Sequence, residues 1–163
     1  RNIFNKKSKT VPSRFIQKNH PTIIEFHNHF TKQLSNVLNT KVYPTPLVDP
    51  LSINILVYDE EGDHIDWHYD NNIYRGNLYA VLVSFTDQGE CSFYSYLDDE
   101  NKVVNMKMNE NDAIVFEGNE ILHKVTPTCK NEHRIVLAMT YCTDNRLKPF
   151  MKPFRKIKSM FYF

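Results

Sequence analysis

The stretch GDHIDWHYDNN, residues 62–72, carries two His-x-Asp pairs, His64 with Asp66 and His68 with Asp70. On an extended strand, residues i and i+2 face the same side, so either pair sets an imidazole beside a carboxylate at chelating separation. A second histidine from elsewhere would complete a set of two imidazoles and one carboxylate, leaving coordination positions open on the metal. His123, in EILHKVTP, lies on another predicted strand and can supply it. Arg134 opens the apolar strand HRIVLAMTY. A buried guanidinium calls for an anion, and its planar fork suits a carboxylate. Pairing of Arg134 with Glu132 or solvent is the plain alternative. His64, Asp66, His68 and Asp70 share one parity, so alternation does not separate the two pairs. The two asparagines after Asp70 mark a strand end, where a metal can keep open positions, and they favour His68 and Asp70.

These residues must be held by a fold, and its elements are legible. HPTIIEFHNHFTKQLSNVLNT predicts an amphipathic helix with Pro21 in its first turn and Thr22 and Glu25 as a capping box. Ile23, Phe26, Phe30, Leu34, Val37 and Leu38 form its apolar face. His27 and His29 point to different sides of that helix and make poor metal partners. YPTPLVDP ends the segment. From residue 51 the period becomes two: SINILVYD, HIDWHYD, LYAVLVSFT, CSFYSYL, KVVNMKM, DAIVFEG, ILHKVTP and HRIVLAMTY are short, β-branched or aromatic, and bounded by turn residues. About eight strands behind one helix predict a mainly β, jelly-roll body. A single domain is expected over residues 1–163: an arm and helix in 1–50, a β core in 51–142, and a basic aromatic tail in 143–163. Residues 1–18 read as an arm or short strand.

Composition narrows the function. The formal net charge is +1 and only four glycines are present, so neither a strong pull toward nucleic acid or membranes nor a glycine-rich phosphate loop is expected. No apolar run is long enough to span a bilayer. Cys91, Cys129 and Cys142 are odd in number and form no CxxC pair, which argues against a disulfide framework or a structural zinc site. They read as small buried residues in a reducing, cytoplasmic or nuclear compartment. The start, RNIFNKKSKT, has no initiator Met and no hydrophobic leader core, and reads as a cut or processed end.

Taken together, the chain resembles the Fe(II)/2-oxoglutarate-dependent dioxygenases, and within them the prolyl-hydroxylase-like branch. The resemblance covers roughly residues 51–142. It rests on YDEEGDHIDWHYD, YRGNLYAVLVSFTD and NENDAIVFEGNEILHKVTP, and on the succession His68-x-Asp70, His123, Arg134. It implies a double-stranded β-helix fold with Fe(II) held by His68, Asp70 and His123. 2-Oxoglutarate would be anchored by Arg134 with Tyr58, with O2 as oxidant and ascorbate as an accompanying reductant. The spacing from Tyr58 to His68 also matches the family. The implied reaction hydroxylates a C–H bond and releases succinate and CO2.

The YRGNLYAVLVSFTD…CSFY segment resembles strands of enzymes acting on peptidyl proline, so a protein or peptide substrate is expected. Where those enzymes often carry Gly-Gly-Glu, this chain has Gly89-Glu90-Cys91-Ser92. Loops 71–77 and 98–102 are candidates for selecting the substrate. An AlkB-type nucleic-acid demethylase is the alternative. Trp67 before His68 fits that family, but Thr140 stands where its second Arg would fall. Lys148, Lys152, Arg155, Lys156 and Lys158 among tail aromatics could track a phosphate backbone. A non-catalytic β-helix binding module is the third reading.

Overall fold

A computed structural model of the chain describes residues 5–149. The arm forms β1 (Lys6–Lys7) and β2 (Lys9–Val11), followed by helices α1 (Ser13–Asn19) and α2 (Pro21–Val37). Then come β3 (Tyr43–Pro44), β4 (Ile53–Tyr58), β5 (His64–His68), β6 (Leu78–Ser84), β7 (Tyr94–Leu97) and β8 (Val103–Met106). The set closes with β9 (Ala113–Glu117), β10 (His123–Val125) and β11 (Arg134–Cys142). All eight segments expected as strands are strands. Two antiparallel sheets face each other, in the orders β1-β5-β10-β7-β8 and β2-β4-β11-β6-β9, with β3 pairing on β11. This is the expected mainly β jelly roll.

The arm contributes more than expected. It crosses from one sheet to the other between β1 and β2, pairing first with β5 and then with β4. Helix α1 follows directly; it is short and basic, and its apolar side is little more than Ile16, which is fully buried.

Helix α2 begins with Pro21 in its first turn as expected, but no side-chain cap forms, so Thr22 and Glu25 do not make a capping box. Its buried stripe runs through Ile23, His27, Phe30, Leu34 and Leu38. Phe26 is 42% exposed and Val37 76% exposed, because they lie outside the stripe that meets the sheet.

The helices cover the outer face of the second sheet. Odd-numbered residues there, Ile53, Val81, Leu137, Met139 and Tyr141, pack with Ile16, Leu34 and Val42 in the main core. Even-numbered residues point between the sheets, where Tyr58, Ile65, Tyr94, Met108, Val125 and Val136 form a second core.

Cys91 and Cys129 are joined by a disulfide, with Cα atoms 5.6 Å apart. This corrects the reading of these residues as lone buried thiols and removes the cysteine argument for a reducing compartment. Pairing across 38 positions leaves no local signal in the sequence. Cys142 alone is free and buried.

Candidate metal centre

His68 closes β5 and faces His123, which opens β10; the two are register partners across the ladder. Their rings lie 4.2 Å apart between centroids. Asp70 follows His68 on the loop, its Oδ1 3.9 Å from His68 Nε2 and 4.0 Å from His123 Nε2. One ligand atom from each residue lies within 4.8 Å of the others. Each ring is oriented from behind: His68 Nδ1 lies 2.7 Å from the Asp66 carbonyl, and His123 Nδ1 2.8 Å from that of Ile121. A carbonyl can only accept, so each Nδ1 carries the proton and the Nε2 lone pair turns toward the shared centre. Burial, reinforced by the neighbouring His123 ring, lowers the pKa of His68 and keeps it in the neutral form a metal requires.

Backbone geometry sends the two His-x-Asp pairs to different faces. His123 pairs with His68 but Val125 pairs with Ile65, so β5 spends three steps where β10 spends two. That β-bulge flips the parity of the strand. Ile65 and His68 therefore both face the interior, although an even strand would send them to opposite sides. His64 and Asp66 stay on the other face, beside the arm. Their Nε2 and Oδ1 approach to 3.6 Å, but Asp66 is exposed and no third ligand among the described residues joins them.

Asp70 is held from both sides. Its N–H donates to the Gly118 carbonyl at 2.8 Å, and the Gly118 Cα lies so close that a β-carbon there would overlap the Asp70 carboxylate. Gly118 belongs to the quoted strand-and-turn segment, but sequence reasoning did not single it out.

The cluster opens on a cavity of about 140 Å³ lined by Leu56, Tyr58, Leu82, Tyr94, Phe116 and Val125, among others. Arg134 lies behind this wall, fully buried, with its guanidinium 3.9 Å from the Tyr58 ring centroid and 5.4 Å from that of Tyr94. It does not pair with Glu132. That carboxylate instead accepts hydrogen bonds from Cys91 N, Ser92 Oγ and Cys129 N, tying together the two loops that the disulfide joins. Gly89 leaves room for the same carboxylate, so the Gly89-Glu90-Cys91-Ser92 stretch serves that junction.

All three guanidinium nitrogens, the Tyr58 hydroxyl and the Tyr94 hydroxyl are buried without a hydrogen-bond partner among the described residues. Burial pushes both phenol pKa values up, that of Tyr94 to about 12, so both remain donors. A buried cation ringed by unsatisfied donors is costly unless an anion completes it. The residues thus fit a ligand that carries one carboxylate to Arg134 and another group to the metal centre.

Other expectations divide. Of the two candidate loops, 71–77 places Asn71 and Tyr74 on the cavity, whereas 98–102 is a self-bonded turn that does not line it. Thr140 is engaged with Thr45 and Leu51. Trp67 lies under the Lys124 ammonium, 4.7 Å from the ring centroid. His133 is exposed. Lys148 bonds the Asn72 carbonyl, and Lys152, Arg155, Lys156 and Lys158 lie outside the described residues. No helix among the described residues is long and apolar enough to cross a membrane.

Residues 53–141 match the 2OG-Fe(II) oxygenase superfamily, and the chain belongs to that family. Its members use Fe(II), 2-oxoglutarate and O2, in agreement with the donor set described above. No curated protein sequence matches the chain.

Among solved structures, the chain is similar to SnoN, a non-haem α-ketoglutarate-dependent epimerase from nogalamycin biosynthesis, with TM-score 0.70 and 11% identity over 91% of this chain and 66% of that one. AviO1 from Streptomyces viridochromogenes Tue57 gives TM-score 0.67 and 15% identity over 86% and 68%. EctD from S. alaskensis, solved with 2-oxoglutarate and 5-hydroxyectoine, gives 0.65 and 13% over 87% and 58%. The chain thus spans just under two thirds of SnoN. At these identities the likeness is one of fold.

Proposed function

We propose that the chain binds Fe(II) through His68, Asp70 and His123, holds 2-oxoglutarate against Arg134, and hydroxylates a peptidyl side chain, most simply proline. One observation carries the oxygenase reading: a three-ligand cluster shares its surroundings with a fully buried guanidinium that meets no anion among the described residues. When bound, iron with 2-oxoglutarate and O2 supplies the oxidising equivalent that converts C–H to C–OH and releases succinate and CO2. The protein's part is positional. His68 and His123 present Nε2, and Asp70 adds the negative charge and leaves one side of the cluster open. Arg134 receives the far carboxylate of the co-substrate, with the Tyr58 and Tyr94 hydroxyls as further donors. Leu56, Leu82, Phe116 and Val125 keep the surroundings apolar.

The peptidyl reading is supported by the resemblance of residues 74–87 and 91–94 to the prolyl-hydroxylase-like branch. A second, mainly apolar cavity of about 270 Å³, lined by Tyr96, Met106, Ile114 and Ile121, adjoins His123 and suits a hydrocarbon side chain. The test is anaerobic titration with Fe(II) and 2-oxoglutarate, then oxygen and a succinate assay, on wild type, His64→Ala and His68→Ala. His68→Ala should lose about a hundredfold or more of succinate formation, and His64→Ala should stay within about twofold. Loss in His64→Ala with His68→Ala active would overturn the ligand assignment. A panel of proline-containing peptides read by mass spectrometry tests the substrate, and turnover of methylated oligonucleotides instead would overturn it.

A further inference from the structure

Three lysines stand together on the arm. Lys7 lies 3.6 Å from Asp63 and 3.9 Å from Glu60, and Lys9 lies 2.8 Å from Asp59 and 3.4 Å from Glu60. Lys6 differs. It is the register partner of Ile65 and shares that residue's inward face, so its side chain lines the cavity that also contains His68. Its Nζ donates to Thr10 Oγ1 at 2.9 Å. Thr10 belongs to the opposite sheet, so the Lys6 side chain bridges the gap between sheets at the wall of the cavity. Among the described residues no carboxylate lies within ion-pair reach of this ammonium. Burial lowers its pKa, as expected for a cation withdrawn from water without a counter-charge. Lysines this placed are rarely left unpaired.

Under the reading above, both ends of 2-oxoglutarate are accounted for, one at Arg134 and the other at the metal centre. Lys6 is a further cation in the same cavity. We propose that Lys6, steadied by Thr10, is the subsite for a carboxylate of the primary substrate. The substrate would then carry an acid group close to the carbon that is oxidised; in a peptide this is an acidic neighbour or a free C-terminus. The inference rests on the oxygenase reading and deepens it.

The test loads wild type, Lys6→Met and Lys6→Arg with Mn(II) and N-oxalylglycine, an unreactive mimic that fills the co-substrate site. Propionate or propionamide is then added, and the relaxation of its protons by the manganese is measured. Propionate should relax at least about tenfold faster than propionamide in wild type and Lys6→Arg, and Lys6→Met should abolish the difference. The affinity for N-oxalylglycine, measured by calorimetry, should stay within about twofold in Lys6→Met. Equal relaxation of acid and amide in wild type would overturn the proposal. So would an unchanged preference in Lys6→Met. A tenfold loss of N-oxalylglycine affinity would make Lys6 part of the co-substrate anchor, which also overturns it. The peptidyl reading fails separately: acid-selective relaxation with no peptide hydroxylated would sink that reading and leave the subsite standing.

Discussion

The two faces of the β2-β4-β11-β6-β9 sheet are built to opposite ends. On the outer face, Leu137, Met139 and Tyr141 of β11 are buried under the helices, and the Tyr141 hydroxyl donates to the His27 carbonyl at 2.8 Å. On the inner face, the same strand offers Arg134, and its partner β4 offers Asn54 and Tyr58, each buried with polar atoms that lack partners among the described residues. The outer face closes on itself except at the His27 ring, whose two nitrogens are buried without a hydrogen-bond partner among the described residues. The inner face is complete only when something else enters. Under the proposed function, one strand carries stability in its odd positions and ligand recognition in its even ones, separated by a single peptide step.

Two substitutions on β11 test that division most sharply. Leu137→Ala should cost about 2–5 kcal/mol of folding stability in denaturant titration, while activity per folded molecule stays within about twofold. Arg134→Met should do the reverse. Affinity for 2-oxoglutarate, read by calorimetry on the Mn(II)-loaded protein, should fall by about 3 kcal/mol, roughly a hundredfold. The melting temperature of the ligand-free protein should hold or rise, because a desolvated cation has been replaced by a thioether. If Arg134→Met melts early instead, Arg134 is a core residue and the two faces are not distinct.

Much of this was legible in the sequence. The eight main strands showed themselves through period-two runs between turn residues; strand spacing offered both His-x-Asp pairs as candidates beside His123 and Arg134, and the family resemblance with the asparagines after Asp70 favoured His68 and Asp70. What escaped was short, local or distant. β1, β2 and β3 have two or three residues each, too few for periodicity. The bulge in β5 has no glycine or proline to announce it, yet it decides which His-x-Asp pair faces inward. The disulfide joins positions whose proximity only the fold creates. Lys6 looked like one more member of a basic arm, since facing is set by its pairing with Ile65.

The outer face has one titratable weakness. His27 is fully buried, its ring edge-on to Tyr141 at 4.8 Å, and burial lowers its pKa to about 4 from the usual 6.5. The unfolded chain therefore takes up a proton between pH 6.5 and about 4 that the folded chain refuses. Stability is full above this window and declines as pH falls through it, by up to about 3 kcal/mol. The lowered pKa of His68 adds a slope of the same sign in metal-free protein. Carboxylates held low, such as Asp144 at about 2, lose their contribution only at more acidic pH. Denaturant titrations of wild type and His27→Phe at pH 7 and pH 5 isolate the His27 share. The wild type should lose more stability than the variant, and parallel losses would place the titrating group elsewhere.

The finest test of the inner face is Gly118→Ala. The glycine touches no ligand, but its bare Cα is what lets the Asp70 carboxylate sit where it does, and its carbonyl fixes the Asp70 N–H. An added methyl group must push the carboxylate away from Nε2 of both histidines or displace the turn after β9. Either response loosens the ligand set without removing a ligand. Mn(II) affinity, measured by electron paramagnetic resonance, should fall by about 10- to 100-fold, the range typical of losing a residue that orients a ligand. Folding stability should change by no more than about 1 kcal/mol, since the site is half-open and the turn can give. Undiminished metal affinity would mean that Asp70 has freedom to move and that the close approach of Gly118 does not set the geometry.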